Sequence, residues 1–87
     1  MKTERRIGFV GVIIARRENS GHAVNDILSR FGDLILARVG LPCRHRPESV
    51  ITLVVEATTD ELGALTGALG QLEGVTTKSA LAPLQHG

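Results

Sequence analysis

The sequence predicts an α+β fold, a two-layer sandwich of one four-stranded antiparallel sheet with two helices on one face. Three observations predict it. Residues 7–15 and 49–57 are short, rich in β-branched residues and apolar on both faces, as strands in the middle of a sheet are. Leu62, Leu65, Leu69 and Leu72 recur at the spacing of one helix face. A segment dense in proline, glycine and charge, residues 40–48, divides the chain into two halves that each read strand–helix–strand.

The first strand runs Ile-Gly-Phe-Val-Gly-Val-Ile-Ile-Ala from Ile7 to Ala15, bounded by charge at both ends. Phe9 and Ile13 fall on one face, and Val10, Val12 and Ile14 on the other. Arg16 to Gly21 is a polar turn in which Asn19 or Ser20 suits the N-cap of a helix. Ala23, Val24, Ile27, Leu28 and Phe31 follow at helical spacing, and Gly32 suits the C-terminal stop. Leu34 to Val39 reads as a shorter second strand, and Gly40 to Glu48, with Pro42 and Pro47, as the loop after it.

Ser49 to Ala57 is the third strand, with Ile51, Leu53 and Val55 on one face and Val50, Thr52 and Val54 on the other. Thr58 or Thr59 caps the second helix, and Asp60 and Glu61 suit its positive first turn. Gly74 ends that helical region, Val75 to about Ala82 is the last strand, and Pro83 to Gly87 reads as a frayed tail. The order βαββαβ is the ferredoxin-like split arrangement. Right-handed crossovers place the first and third strands at its centre and both helices on one face. The two central strands are the two that are apolar on both sides, so the face without helices is an exposed apolar surface. A monomer rarely leaves such a patch in water, and a homo-oligomer, dimer or tetramer, is expected.

At 87 residues the chain makes one domain, with an ordered core over about residues 6–84. It buries roughly 60–65 % of its unfolded surface, a narrow margin. Phe9 and Phe31 are the only aromatics, so Leu, Ile, Val and Ala must build the core. A net charge of +1 argues for neither nucleic acid nor a membrane surface. The basic residues are dispersed and stacking aromatics scarce, which also speaks against nucleic-acid binding. One cysteine, Cys43, rules out an intramolecular disulfide and fits a reducing compartment. The apolar run after Arg6 is too short to span a bilayer, and no small-residue cleavage site follows it, so a cytoplasmic protein is expected.

Candidate sites are few. Arg16, Arg17, Asn19, Ser20, Gly21 and His22, where the first strand turns into the first helix, could receive an anionic effector on free helix N–H groups, with Arg44 and Arg46 nearby. Cys43 and His45 in the loop, with His22, have the ligand chemistry for nickel or zinc, but lack the second cysteine or paired histidines of a closed zinc site; His86 is in the tail. No phosphate-binding glycine loop, triad spacing or carboxylate pair suggests catalysis, so a non-enzyme without a cofactor is expected. Gly63, Gly67 and Gly70 share the helix side away from the leucines. Each costs roughly 1 kcal/mol relative to alanine, which makes that face a candidate for a partner's or ligand's approach.

Two segments carry a family resemblance. Arg38-Val-Gly-Leu-Pro42 and Gly63-Ala-Leu-Thr-Gly-Ala-Leu-Gly-Gln-Leu-Glu-Gly-Val75 resemble the small proteins called iron-only hydrogenase system regulators, and the likeness extends over about residues 6–84. It implies a ferredoxin-like fold close to ACT-like amino-acid-binding regulatory domains and to the C-terminal domain of the nickel-responsive repressor, and it implies oligomeric assembly. Arg38, Gly40, Pro42, Gly63, Gly67, Gly70 and Gly74 carry over as motif positions, with no catalytic or ligand role attached. The leading expectation is an oligomeric regulatory or sensor module that binds a small effector or a partner protein. A nickel or zinc sensor using Cys43 and His45, and a structural oligomer without ligand, are the alternatives.

Overall fold

The computed structural model describes residues 4–84. The two strands apolar on both faces, β1 (Arg6–Ile14) and β3 (Ser49–Ala57), pair antiparallel from Arg6 opposite Ala57 to Ile14 opposite Ser49. β2 (Ile35–Pro42) adds to the outer edge of β3 and β4 (Val75–Leu81) to the outer edge of β1, giving the order β2-β3-β1-β4. Helices α1 (Arg17–Arg30) and α2 (Thr59–Gly70) complete the βαββαβ order.

Strand alternation sorts the side chains. Val10, Val12 and Ile14 of β1 and Ile51, Leu53, Val55 and Ala57 of β3 are buried against the helices. Val24, Ile27 and Leu28 of α1 and Leu65 and Leu69 of α2 close the core from above. Each of these large aliphatics contributes about 1.5–3 kcal/mol by leaving water. On the opposite face Ile7, Phe9 and Ile13 of β1, Val50 and Val54 of β3, and Val39 and Leu41 of β2 remain exposed.

The second helix starts where the sequence places its cap. The Thr58 hydroxyl accepts from the Glu61 N–H at 3.0 Å, and the Glu61 carboxylate accepts from the Thr58 N–H at 2.8 Å. This reciprocal capping box satisfies two amides that have no partner inside the helix. Arg5 also donates to Glu61 through two nitrogens, tying the chain before β1 to the helix start. That guanidinium holds the Glu61 carboxyl below the usual carboxylate range.

Four boundaries differ from the sequence expectation. α1 begins at Arg17 with Arg16 as N-cap, so Asn19 and Ser20 lie inside the first turn and do not cap it. The Arg17 N–H donates to the Pro47 carbonyl and the Ser20 hydroxyl to the Glu73 carbonyl, so long-range contacts start this helix. At its other end α1 stops at Arg30, with a 3₁₀ turn over Gly32–Leu34 in place of a glycine cap. β2 continues through Gly40 to Pro42, three residues beyond Val39, and carries an irregularity between Ile35 and Ala37. α2 ends at Gly70, so Leu72 packs against the core from the following turn, not from the helix. Gly74, at φ 75°, makes the reversal into β4, and its carbonyl accepts from the Ala15 N–H at 2.8 Å. The tail from Gln85 onward, with His86, lies outside the described residues.

Candidate functional site

Neither helix covers the helix-side surface of the edge strand β2. An open groove of about 570 Å³ lies there, between the first two turns of α1 and the ends of β2 and β3. The volume is within the range of small-molecule sites. Ile14 and Ile51, both buried, form its floor, with Leu41 and Val50 at the strand edge. Polar walls come from Arg17, Glu18, His22 and Asn25 on α1, Arg38 on β2 and Ser49 on β3.

Two glycines keep the groove open, Gly21 on α1 and Gly40 on β2. A Cβ added at Gly21 would meet only the Arg17 Cβ, at 3.8 Å, and one at Gly40 only Ile51 Cγ1, at 3.9 Å. Neither glycine is needed for backbone strain or internal packing, since both have ordinary φ values. Their effect is to leave space where side chains would stand. Arg38 Nη2 donates to Asn25 Oδ1 at 3.0 Å, which links β2 to α1 across the groove.

Arg17 fixes the groove's upper end. Its Nη1 donates to the carbonyls of Cys43, Arg46 and Glu48 at 3.3, 3.0 and 3.2 Å. One guanidinium nitrogen therefore holds the whole β2–β3 loop against the start of α1. Inside that loop Arg46 pairs with Glu48 at 2.7 Å and holds its carboxyl below the usual carboxylate range.

The residues marked in the sequence separate into distinct places. Arg17, Gly21 and His22 line the groove, joined by Arg38 and Gly40 of the first family motif. Arg16, Asn19, Ser20 and Gly74 instead line a smaller hollow of about 200 Å³, with Ala15 and Glu73. The amides expected to bind an anion are engaged: Arg17 N donates to Pro47 O, and Asn19 N and Ser20 N to Arg16 O. Cys43 is half-buried and in no disulfide, and His45 is exposed in the same loop. Among the described residues no group of three or more His, Cys, Asp or Glu side chains could hold a metal ion. Gly63, Gly67 and Gly70 are exposed, with nothing within 4 Å of an added Cβ.

Asn25, Glu18 and Ser49 also line the groove, and no motif in the sequence points to them. Asn25 lies three residues after His22 and four after Gly21, so helical periodicity alone puts it on their face. That face becomes a groove wall because β2 runs past Gly40. Among the described residues no helix is long and apolar enough to cross a membrane.

The sheet order and the two helices on one face define the ferredoxin-like, ACT-like α+β fold. The ACT domain of GTP pyrophosphokinase from Chlorobium tepidum superposes with a TM-score of 0.71 at 20 % identity, covering 95 % of this chain and 93 % of that one. More narrowly, residues 6–79 match the TM1266-like family, described as "Iron-only hydrogenase system regulator, putative", and the chain belongs to this family. The uncharacterized protein TM1266 of Thermotoga maritima is 36 % identical, with a TM-score of 0.87, and the match covers 92 % of this chain and all of that one. SnoaB, a cofactor-independent oxygenase from Streptomyces nogalater, shares the fold at 14 % identity and a TM-score of 0.57, over 95 % of this chain and 96 % of that one. No curated protein matches the chain.

Proposed function

We propose that this protein is a non-enzymatic regulatory module that acts as an oligomer and holds a small effector in the groove between α1 and β2. The observation that carries the reading is the pair of facing glycines, Gly21 and Gly40, which keep open a space walled by charge and floored by Ile14 and Ile51. The lining suits a small zwitterion with an apolar part, the chemistry of an amino acid. Arg38 is the partner for its carboxylate, Glu18 for its ammonium group, and the two isoleucines for its side chain. Membership of a family described as regulators, and the likeness to an ACT domain, agree with this reading.

A thermal-shift panel of amino acids, nucleotides and divalent metals tests it. A ligand at a hundred times its Kd adds about 2.7 kcal/mol to stability, a rise on the order of 10 °C for a domain of this size. The expected result is a shift with one or a few amino acids, lost in Arg38→Ala. A chelator-reversible shift with nickel or zinc alone would instead support a metal sensor. Silence across the panel would leave a structural or protein-binding role.

A further inference from the structure

The open face of the sheet has an unusual relief. Its centre is apolar, with Phe9, Ile13, Val50 and Val54 each between 38 and 49 % exposed. Of its two charged residues, Glu56 is near the end of β3, and Lys78 stands directly opposite Gly11 on the edge strand β4. At Gly11, in the middle of β1, is a notch of about 170 Å³ bordered by Ile13, Val50, Thr76 and Lys78.

Gly11 has no reason inside the subunit to be glycine. Glycine weakens the interior of a strand. Gly8 in the same strand is accounted for, because a Cβ there would overlap the Ala80 carbonyl oxygen. At Gly11 a Cβ would meet only the Lys78 carbonyl oxygen at 3.8 Å, an ordinary contact, and its φ is not positive. The missing side chain leaves the notch open on this face of the sheet. The notch is of the size that accepts one phenyl ring, since a cavity of about 150 Å³ binds benzene. Phe9, the larger of the chain's two aromatics by exposure, stands two residues away on the same face.

We propose that the occupant of this face is a second copy of the chain, docked so that Phe9 of each copy enters the Gly11 notch of the other. The inference deepens the oligomeric part of the function proposed above and rests on it. A two-fold axis crossing the strands at the level of Val10 exchanges Phe9 with Gly11 and Ile7 with Ile13, and it also brings Val54 over Thr52 by the β1–β3 register. One operation thus pairs the knob with the notch and Ile7 with Ile13, as a self-complementary interface requires, and by the same register it sets Glu56 opposite Val50. The area falls at the lower end of what a specific interface buries. Four strands about 4.8 Å apart, with seven to nine residues each rising about 3.3 Å, present roughly 20 by 25 Å. That footprint is on the order of 500 Å² before surface relief is counted, against about 800 Å² of accessible surface per partner in a standard interface.

Sedimentation equilibrium over a concentration series tests the register with three variants, each checked for its fold by far-UV circular dichroism. Phe9→Ala removes the knob and Gly11→Phe fills the notch, and each should raise the dimer dissociation constant at least about tenfold. Combined, Phe9→Ala and Gly11→Phe restore association to near the wild-type value, because the two-fold sets the new ring opposite the new space. A wild-type chain that stays monomeric at about 100 μM overturns both this interface and the oligomeric reading. A dimer that both single variants leave unchanged overturns the interface alone, and so does a double variant no better than the worse single one.

Discussion

Replacing Gly63 and Gly67 together by alanine asks what the glycine side of α2 is for. Gly63 lies in the body of the helix and Gly67 nearer its end, both are exposed, and an added Cβ at either meets nothing within 4 Å. Within one subunit the change is therefore free of steric cost. Glycine in a helix interior is less favourable than alanine by about 0.8–1.0 kcal/mol, much of it from the extra freedom glycine has when unfolded. Gly67 sits in the last turn, where the benefit is smaller, so the pair should add about 1–2 kcal/mol. In a domain of 60–100 residues each kcal/mol moves Tm by about 4–8 °C, which gives a rise of roughly 5–15 °C. Urea unfolding followed at 222 nm, at two protein concentrations about a hundredfold apart, measures it. An increase that is the same at both concentrations means that the face is solvent in the working protein. Stability that is unchanged or lowered would refute the reasoning. Loss confined to the higher concentration would place a partner's backbone on this face.

Three further outcomes follow from the same contacts. Gly74→Ala forces a Cβ onto a residue at φ 75° and within 3.4 Å of the Ala15 Cβ, and should cost about 1–2 kcal/mol, read as a lower urea midpoint with an unchanged slope. Leu65→Ala, at a fully buried site, should cost about 3–4 kcal/mol, and Leu72→Ala, in the half-buried turn after the helix, less than half of that; equal costs would mean that the leucine stripe is not graded as described. The Glu61 carboxyl is held below its ordinary range first by the Arg5 hydrogen bonds and then by the Thr58 N–H. A folded value below the unfolded one gives stability that is present above the usual carboxylate range and is lost as pH falls through the folded value. Glu61→Gln should therefore flatten the fall in urea midpoint between about pH 6 and about pH 3, and a slope identical to wild type would count against the pair.

Local signals placed the elements whose causes are local. β3 spans the residues its alternation marks, and Thr58 caps α2 because hydroxyl and carboxylate stand three positions apart in the chain. The differences arose where partners are distant. Arg16 has no capping side chain, yet α1 starts after it, because the Pro47 carbonyl, thirty residues on, accepts the Arg17 N–H. Gly40 and Pro42 read as strand breakers, but on an edge strand the ladder with Ile51 and Ser49 tolerates both. That single difference hid the groove. With β2 ended at Val39, the turn residues and the Arg38–Pro42 motif looked like separate features, whereas the longer strand brings Arg38 and Gly40 opposite Gly21, His22 and Asn25. The bare apolar face needed no such contact, since it follows from two central strands with both faces apolar and helices on one side.

The most direct measurement of the effector site is isothermal titration of amino acids into the wild-type protein and into Gly40→Val. Valine suits an edge strand, its Cβ would rest 3.9 Å from Ile51 Cγ1 without displacing it, and its methyl groups would stand in the groove. An amino acid that binds the wild type should lose at least about tenfold in affinity, more than 1.4 kcal/mol, to a variant whose melting temperature is unchanged. Binding that survives Gly40→Val intact, or no binding by the wild type at millimolar ligand, would contradict the assignment of this groove as the effector site.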